Sequence, residues 1–254
     1  MKWTALKSRL RQGLPTVGSW MTFGHPGIAE VMAAAGFEWI VIDLEHSVIE
    51  LREVAGLIRT IENTGLAPLV RLTSNDPGQA KRVMDAGAHG VLVPMVVSAA
   101  DARAAVNAVK YPPAGTRGVG LSRAQGYGDG FAEYVAALPE QALVVAQIEH
   151  RDAIGVLPDI LGVPGIDATI IGPYDLSASL GVPGQFDDAR VVDSLAEYER
   201  ASKAGGVPMG YHVVEPDSAL VKERIARGYT FIAFGVDFLF LSRSCRTAMD
   251  RLRS

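Results

Sequence analysis

A short apolar run, Trp39-Ile40-Val41-Ile42-Asp43-Leu44-Glu45-His46-Ser47, ends abruptly in two carboxylates and an imidazole. Such a run reads as a strand buried on both faces, and charge gathered at its end marks that end as a site. Later runs close the same way: Leu69-Val70-Arg71, Gly90-Val91-Leu92-Val93-Pro94, Val144-Val145-Ala146-Gln147-Ile148-Glu149 and Thr169-Ile170-Ile171-Gly172-Pro173-Tyr174-Asp175. Glu149 and Asp175 end or just follow consecutive strands, which neighbour at about 4.8 Å, so the two carboxylates can hold one cation between them. An all-oxygen ligand set suits Mg²⁺ or Mn²⁺, with water and substrate completing an octahedron. For Asp175 alone, a helix cap or an arginine partner is the alternative. Asp43 and His46, three apart across the strand end, read as a dyad in which the carboxylate orients the imidazole as a proton acceptor. Arg71 is costly to bury without an anion, which is either a substrate oxyanion or Asp43 or Glu45. Gln147 points the same way as Glu149 along its strand. The amides at Tyr174 and Asp175, opening a short helix, offer a place for a substrate carboxylate, and Trp20 closes the first strand. Together these groups suit enolate chemistry: a cation polarises a 2-oxo acid, arginine stabilises oxygen charge and histidine moves the proton.

Residues so far apart in sequence meet only if the strand ends share one mouth. The spacing predicts strands at 16–21, 39–43, 68–72, 90–93, 142–149, 166–171, 207–211 and 230–235, with helices between them and a terminal helix at 239–252. A lead-in helix is expected at 4–12 and a long glycine-rich loop at 114–130. Eight strand and helix units, with no dinucleotide fingerprint, argue for a closed (β/α)₈ TIM barrel formed by residues 1–254 as a single domain.

Composition limits the partners. The 254 residues carry a formal net charge of −4 and 48% hydrophobic side chains, with basic residues scattered rather than clustered, so neither nucleic acid nor a membrane is expected to bind. Small molecules and copies of the chain remain. The lone Cys245 gives no disulfide framework, and Met1–Lys7 lacks the apolar core of a signal peptide, so a reducing, cytoplasmic setting is expected. The lysines, at 2, 7, 81, 110, 203 and 222, all fall in or beside helices, so a Schiff-base mechanism lacks its nucleophile. The turns after the last two strands lack a glycine-rich phosphate cradle, which disfavours a sugar phosphate. His25, His89 and His150 read as helix-end or surface histidines.

Gly18-Ser19-Trp20, Ile42-Asp43-Leu44-Glu45-His46, Val70-Arg71, Asp85-Ala86-Gly87-Ala88, Pro94-Met95-Val96, Arg117-Gly118-Val119-Gly120, Gln147-Ile148-Glu149 and Gly172-Pro173-Tyr174-Asp175-Leu176-Ser177 span most of the chain. In these pieces the chain resembles the HpcH/HpaI family of metal-dependent class II pyruvate aldolases, which act on 4-hydroxy-2-oxo acids. The resemblance implies a lyase that releases pyruvate and an aldehyde through a metal-stabilised pyruvate enolate, and that runs in reverse as a carboligase. It implies Glu149 and Asp175 as ligands of Mg²⁺ or Mn²⁺, with Co²⁺ as a further option, and His46 with Asp43 as the acid/base pair. Arg71 would stabilise the enolate, and Trp20 would pack near its methyl group. It also implies a hexamer whose last helix is exchanged between subunits, with Asp85 reaching a neighbouring site. The loop Leu121–Gly128, with Arg123, and the segment His212-Val213-Val214 are where the aldehyde half would be read, with a surface role as the alternative for Arg123. The rival expectations are an acyl-CoA-ester lyase of the citramalyl- or malyl-CoA type and a catalytically silent barrel that binds 2-oxo acids.

Overall fold

A computed structural model describes residues 4–254, so the part of the N-terminal reading that concerns Met1–Trp3 lies outside the described residues. In chain order the elements are α1 (Leu6–Arg11), β1 (Thr16–Met21), α2 (Pro26–Ala34), β2 (Trp39–Asp43), α3 (Leu51–Asn63), β3 (Ala67–Arg71), α4 (Pro77–Ala86), β4 (Gly90–Val93) and α5 (Ala99–Val109). They continue with a 3₁₀ segment (Arg123–Gly128), α6 (Phe131–Gln141), β5 (Leu143–Ile148), α7 (Arg151–Gly155), α8 (Leu157–Leu161), β6 (Ala168–Ile171), α9 (Pro173–Ser179), α10 (Ala189–Gly205), β7 (Gly210–Val213), α11 (Ser218–Ala226), β8 (Phe231–Val236) and α12 (Asp237–Arg253). The strands pair in parallel, each with the next and β8 with β1, closing the barrel.

Alternation along each strand separates two cores. Trp39, Val41, Ala67, Leu69, Leu143, Val145, Ala168, Ile170, Phe231 and Ala233 fill the interior. Their neighbours Ile40, Ile42, Val70, Val144, Ala146 and Ile171 pack outward against the helices. Both faces are thus apolar, which is why the strands read as continuous hydrophobic runs. The same period carries Asp43, Arg71 and Gln147 inward at the strand ends, one step beyond the interior layer. That layer has a fixed shape. Trp39 stacks on Phe231 with ring centroids 4.2 Å apart, and a Cβ on Gly18 would meet the Trp39 ring at 1.9 Å.

Helix starts follow local chemistry. Asp76, Ser98 and Asp217 accept backbone N–H bonds at the N-termini of α4, α5 and α11, as capping predicts. His25 and His150 cap α2 and α7 through Nδ1, in keeping with helix-end roles. His89 differs: it is buried just before β4, where its backbone joins β3 and β5 through Pro68 and Leu143. The helix expected between β5 and β6 is two short ones, broken at Val156 ahead of Pro158. The seventh strand begins and ends later than 207–211, which changes which side chains reach the mouth. The buried lysines sit at the opposite end of the barrel: Lys7 Nζ lies 2.7 Å from Asp167, and Lys110 donates to the Ala142 carbonyl at 2.8 Å. Among the described residues no helix is long and apolar enough to cross a membrane.

Candidate active site

The C-terminal strand ends surround a cavity of about 170 Å³ bordered by Trp20, His46, Arg71, Gln147, Tyr174 and Asp175, together with His212 and Val214. Arg71 organises one wall. Its Nε and Nη2 donate to the two oxygens of Asp43 at 2.8 and 2.6 Å, and Nη1 lies 3.1 Å from Glu45. A bidentate carboxylate fixes a planar guanidinium in position and plane. Asp43 also accepts from the Glu45 and His46 amides at 3.0 and 3.4 Å. This corrects the Asp43–His46 dyad: Asp43 holds Arg71 and the backbone of the turn, and no hydrogen bond among the described residues joins it to the imidazole. A spacing of three across a strand end brings the His46 amide, not its ring, to the carboxylate. The ring stands exposed at the rim of the cavity.

The second wall is acidic. Glu149 is buried; its Oε1 accepts from the Met95 amide at 2.8 Å, and its Oε2 accepts from the Gln147 side chain. Met95 presents that amide from the left-handed region, with φ of 52°, a costly conformation for a residue with a Cβ. Burial pushes the Glu149 carboxyl up to about 7, against those two donors and with help from the Glu45 and Asp175 carboxylates. Glu45 is raised too, by burial first, with Arg71 opposing and Asp43 and Asp175 adding to the rise. Glu45, Glu149 and Asp175 therefore repel one another across the mouth. Gln147 Oε1 is buried without a hydrogen-bond partner. A Cβ on Gly172 would lie 2.8 Å from Glu149 Oε2, so the turn after β6 leaves this carboxylate its room. Among the described residues no set of three or more His, Cys, Asp or Glu side chains forms a metal cluster. The protein offers two carboxylates, with the Gln147 oxygen beside them.

His212 was expected with Val213 and Val214 in a turn that reads the aldehyde half, not on a strand that faces the mouth. Ending the strand at Tyr211 put it in a turn, whereas β7 runs to Val213 and alternation turns His212 inward. Its ring stacks on Trp20 with centroids 4.4 Å apart, and Nε2 lies 3.1 Å from the Gly235 carbonyl. Burial holds its pKa down at about 4, against the pull of that carbonyl, so the ring is neutral at pH 7. The Arg71 guanidinium lies 5.3 Å from the Trp20 ring centroid, so arginine, indole and imidazole line one side of the cavity in succession. Val214 borders the cavity. Val213, expected beside the substrate, instead faces the helix layer, since alternation turns it away from the side His212 takes.

Two more expected residues lie away from this chain's own mouth. Asp85, near the end of α4, pairs with Arg117. Arg123 pairs with Glu62 and donates to the Ala86 carbonyl at 3.0 Å. A helix that follows a strand runs back toward the strand N-termini, so the ends of α3 and α4, and whatever binds them, lie far from the C-terminal mouth.

Comparison with known proteins agrees with this architecture. Residues 16–243 match the family model described as HpcH/HpaI aldolase/citrate lyase. The chain is 38% identical over 253 residues to a 4-hydroxy-2-oxo-heptane-1,7-dioate aldolase of Salmonella typhimurium, covering 97% of this chain and 94% of that one. It is 36% identical over 254 residues to a hydroxypyruvate/pyruvate aldolase of Roseovarius nubinhibens, covering 98% and 96%. A crystal structure of an HpcH/HpaI aldolase/citrate lyase family protein from Burkholderia cenocepacia superposes with a TM-score of 0.93 at 33% identity, covering 99% of this chain and all of that one. The chain belongs to the HpcH/HpaI aldolase/citrate lyase family.

Proposed function

We propose that the chain is a metal-dependent carbon–carbon lyase that cleaves a 4-hydroxy-2-oxo acid reversibly into pyruvate and an aldehyde. The observation that carries this reading is the acidic wall. A buried Glu149, held near neutrality by burial and by Glu45 and Asp175, stands beside a Gln147 oxygen that has no partner. Acidic oxygens that repel one another, next to an unfilled acceptor, suit a hard divalent cation, Mg²⁺ or Mn²⁺, with Co²⁺ as a further option. Glu149 and Asp175 would hold it. When bound, such a cation supplies Lewis acidity toward the 2-oxo group.

The chain's own residues then divide the work. Three guanidinium nitrogens of Arg71 face Asp43 and Glu45, and the N–H groups left over stabilise negative charge on the substrate's C2 oxygen. His46 takes the proton from the C4 hydroxyl as the C3–C4 bond breaks. The aldehyde leaves, and the enolate of pyruvate is protonated at C3 by the proton His46 took up, which returns the imidazole to its neutral form. His212, neutral and stacked on Trp20, adds an uncharged wall for the methyl group. The cavity has room for a pyruvyl unit, and its open side at His46, Tyr174 and Val214 is where the aldehyde half extends. Among the described residues no lysine borders this cavity, and the buried Lys7 and Lys110 are beside Asp167 at the opposite end. The assembly we propose is a homohexamer in the cytoplasm. Along α12 only Asp237 is buried, and Phe238, Leu241, Met249 and Leu252 are exposed, as suits a helix that packs on another subunit.

Pyruvate release from 4-hydroxy-2-oxo acids with short, long and dicarboxylic tails tests the activity. Cleavage of at least one, abolished by exhaustive chelation and restored by Mg²⁺ or Mn²⁺, is the expected result. Cleavage that survives chelation rejects the metal-dependent mechanism.

A further inference from the structure

β8 carries a bulge where it meets β1. Gly18 pairs with Ala233 and Trp20 with Val236, so Phe234 and Gly235 stand against Ser19 alone. Gly235 holds a left-handed φ of 66°, the conformation that such a bulge gives to glycine. Its carbonyl accepts from Ser19 Oγ at 3.3 Å and lies 3.1 Å from His212 Nε2. A carbonyl only accepts, so Nε2 carries the ring proton and Nδ1 the lone pair.

That lone pair is left open. Trp20 covers one face of the half-buried ring, which borders the mouth. Among the described residues no group bonds Nδ1, and it is not one of the side-chain nitrogens buried without a partner. Burial keeps the ring neutral down to about pH 4, so at pH 7 no proton occupies the site. A wall for a bare methyl group needs no acceptor. One placed there selects a ligand that brings a donor, because a polar group left unpaired discriminates against the ligand that lacks it.

We propose that His212 determines specificity at C3 of the substrate: Nδ1 accepts from a hydroxyl on that carbon, so that 3-hydroxy-2-oxo acids serve as the carbon nucleophile alongside pyruvate. This rests on the lyase reading, in which Trp20 and His212 back the C3 methyl group. The bond made is the same one. C3 gives up a proton, the electron pair forms the C3–C4 bond to the aldehyde carbon, and the C4 oxygen takes a proton, while the C3 hydroxyl stays intact and bonded to Nδ1.

Carboligation of hydroxypyruvate and of pyruvate with acetaldehyde, by the full chain loaded with Mg²⁺, gives the ratio of the two kcat/KM values. That ratio should fall roughly tenfold or more in His212→Leu, the cost of a lost hydrogen bond in a buried site. General damage lowers both rates and leaves the ratio where it was. In the wild type, without aldehyde, the ¹⁵N resonance of His212 Nδ1 should move on adding hydroxypyruvate and hold its place with pyruvate, and this carries the test alone if His212→Leu fails to fold. A ratio unchanged in His212→Leu overturns the proposal, as does an Nδ1 resonance that hydroxypyruvate leaves in place. Wild-type protein that uses pyruvate and not hydroxypyruvate overturns it while leaving the lyase reading intact. If neither acid is used, the lyase reading fails and the role of His212 with it.

Discussion

Arg71 carries two duties, and its geometry separates them. Asp43 and Glu45 fix the guanidinium, and the donors that remain are those we propose to act on the substrate. Arg71→Lys keeps the charge but loses the fork, so kcat should fall roughly 100-fold or more, with a much smaller change in KM; steady-state kinetics checks it. In the proposed site Glu149 is a metal ligand, and it then sets the pH dependence of metal binding. With its carboxyl near 7 in the metal-free protein, a proton competes with the cation below that pH. The apparent Kd for Mn²⁺ should therefore rise about tenfold per unit of acidification below pH 7 and level off above it, as calorimetry would show. His212 should stay neutral until pH falls to about 4, which its imidazole proton shifts report directly. At this scale the place of several residues was legible: Trp20, Arg71 and Gln147 sit at strand ends, Asp175 sits in the helix that follows β6, and all four line the cavity. The Asp43–His46 pairing was not. Sequence spacing cannot distinguish a ring contact from an amide contact, and Arg71, distant in sequence, takes the carboxylate.

Strand ends and turns decide what those residues meet. The turn after β6 is the tightest case: Gly172 leaves Glu149 its space, so Gly172→Ala should weaken Mn²⁺ binding by at least about tenfold through displacement of that carboxylate. Its melting temperature should stay near that of the wild type. Inside the barrel, Gly18→Ala forces the Trp39 ring off Phe231 and should cost about 1–3 kcal/mol, read as a lower melting temperature. The strands themselves were legible from their apolar runs, most within a residue or two. β7 was the exception. Its polar His212 broke the expected hydrophobic pattern and moved the predicted end to Tyr211, which hid an inward-facing residue and misdirected Val213.

At the scale of the molecule, the closed parallel barrel followed from eight repeats of strand and helix with both strand faces apolar and no dinucleotide fingerprint, which favour closure over an open doubly wound sheet. Contacts beyond one chain were not legible in the same way. Asp85 and Arg123 are engaged with Arg117 and Glu62 away from this mouth, so any part they take in catalysis has to be played in another subunit's site. The proposed assembly rests on α12, whose Phe238, Leu241, Met249 and Leu252 are exposed. Leu241→Glu should convert the hexamer to smaller species by light scattering, whereas an unchanged mass would show that α12 is not the interface.

In the proposed mechanism a cation held by Glu149 and Asp175 lets this mouth acidify the methyl group of pyruvate. Exchange of those methyl protons for deuterium, followed by NMR in D₂O, tests it without reference to any particular aldehyde. The protein loaded with Mg²⁺ or Mn²⁺ should catalyse the exchange, and chelation or Glu149→Gln should stop it. Exchange that persists after exhaustive chelation, or pyruvate that binds the loaded protein without exchanging, would contradict the account.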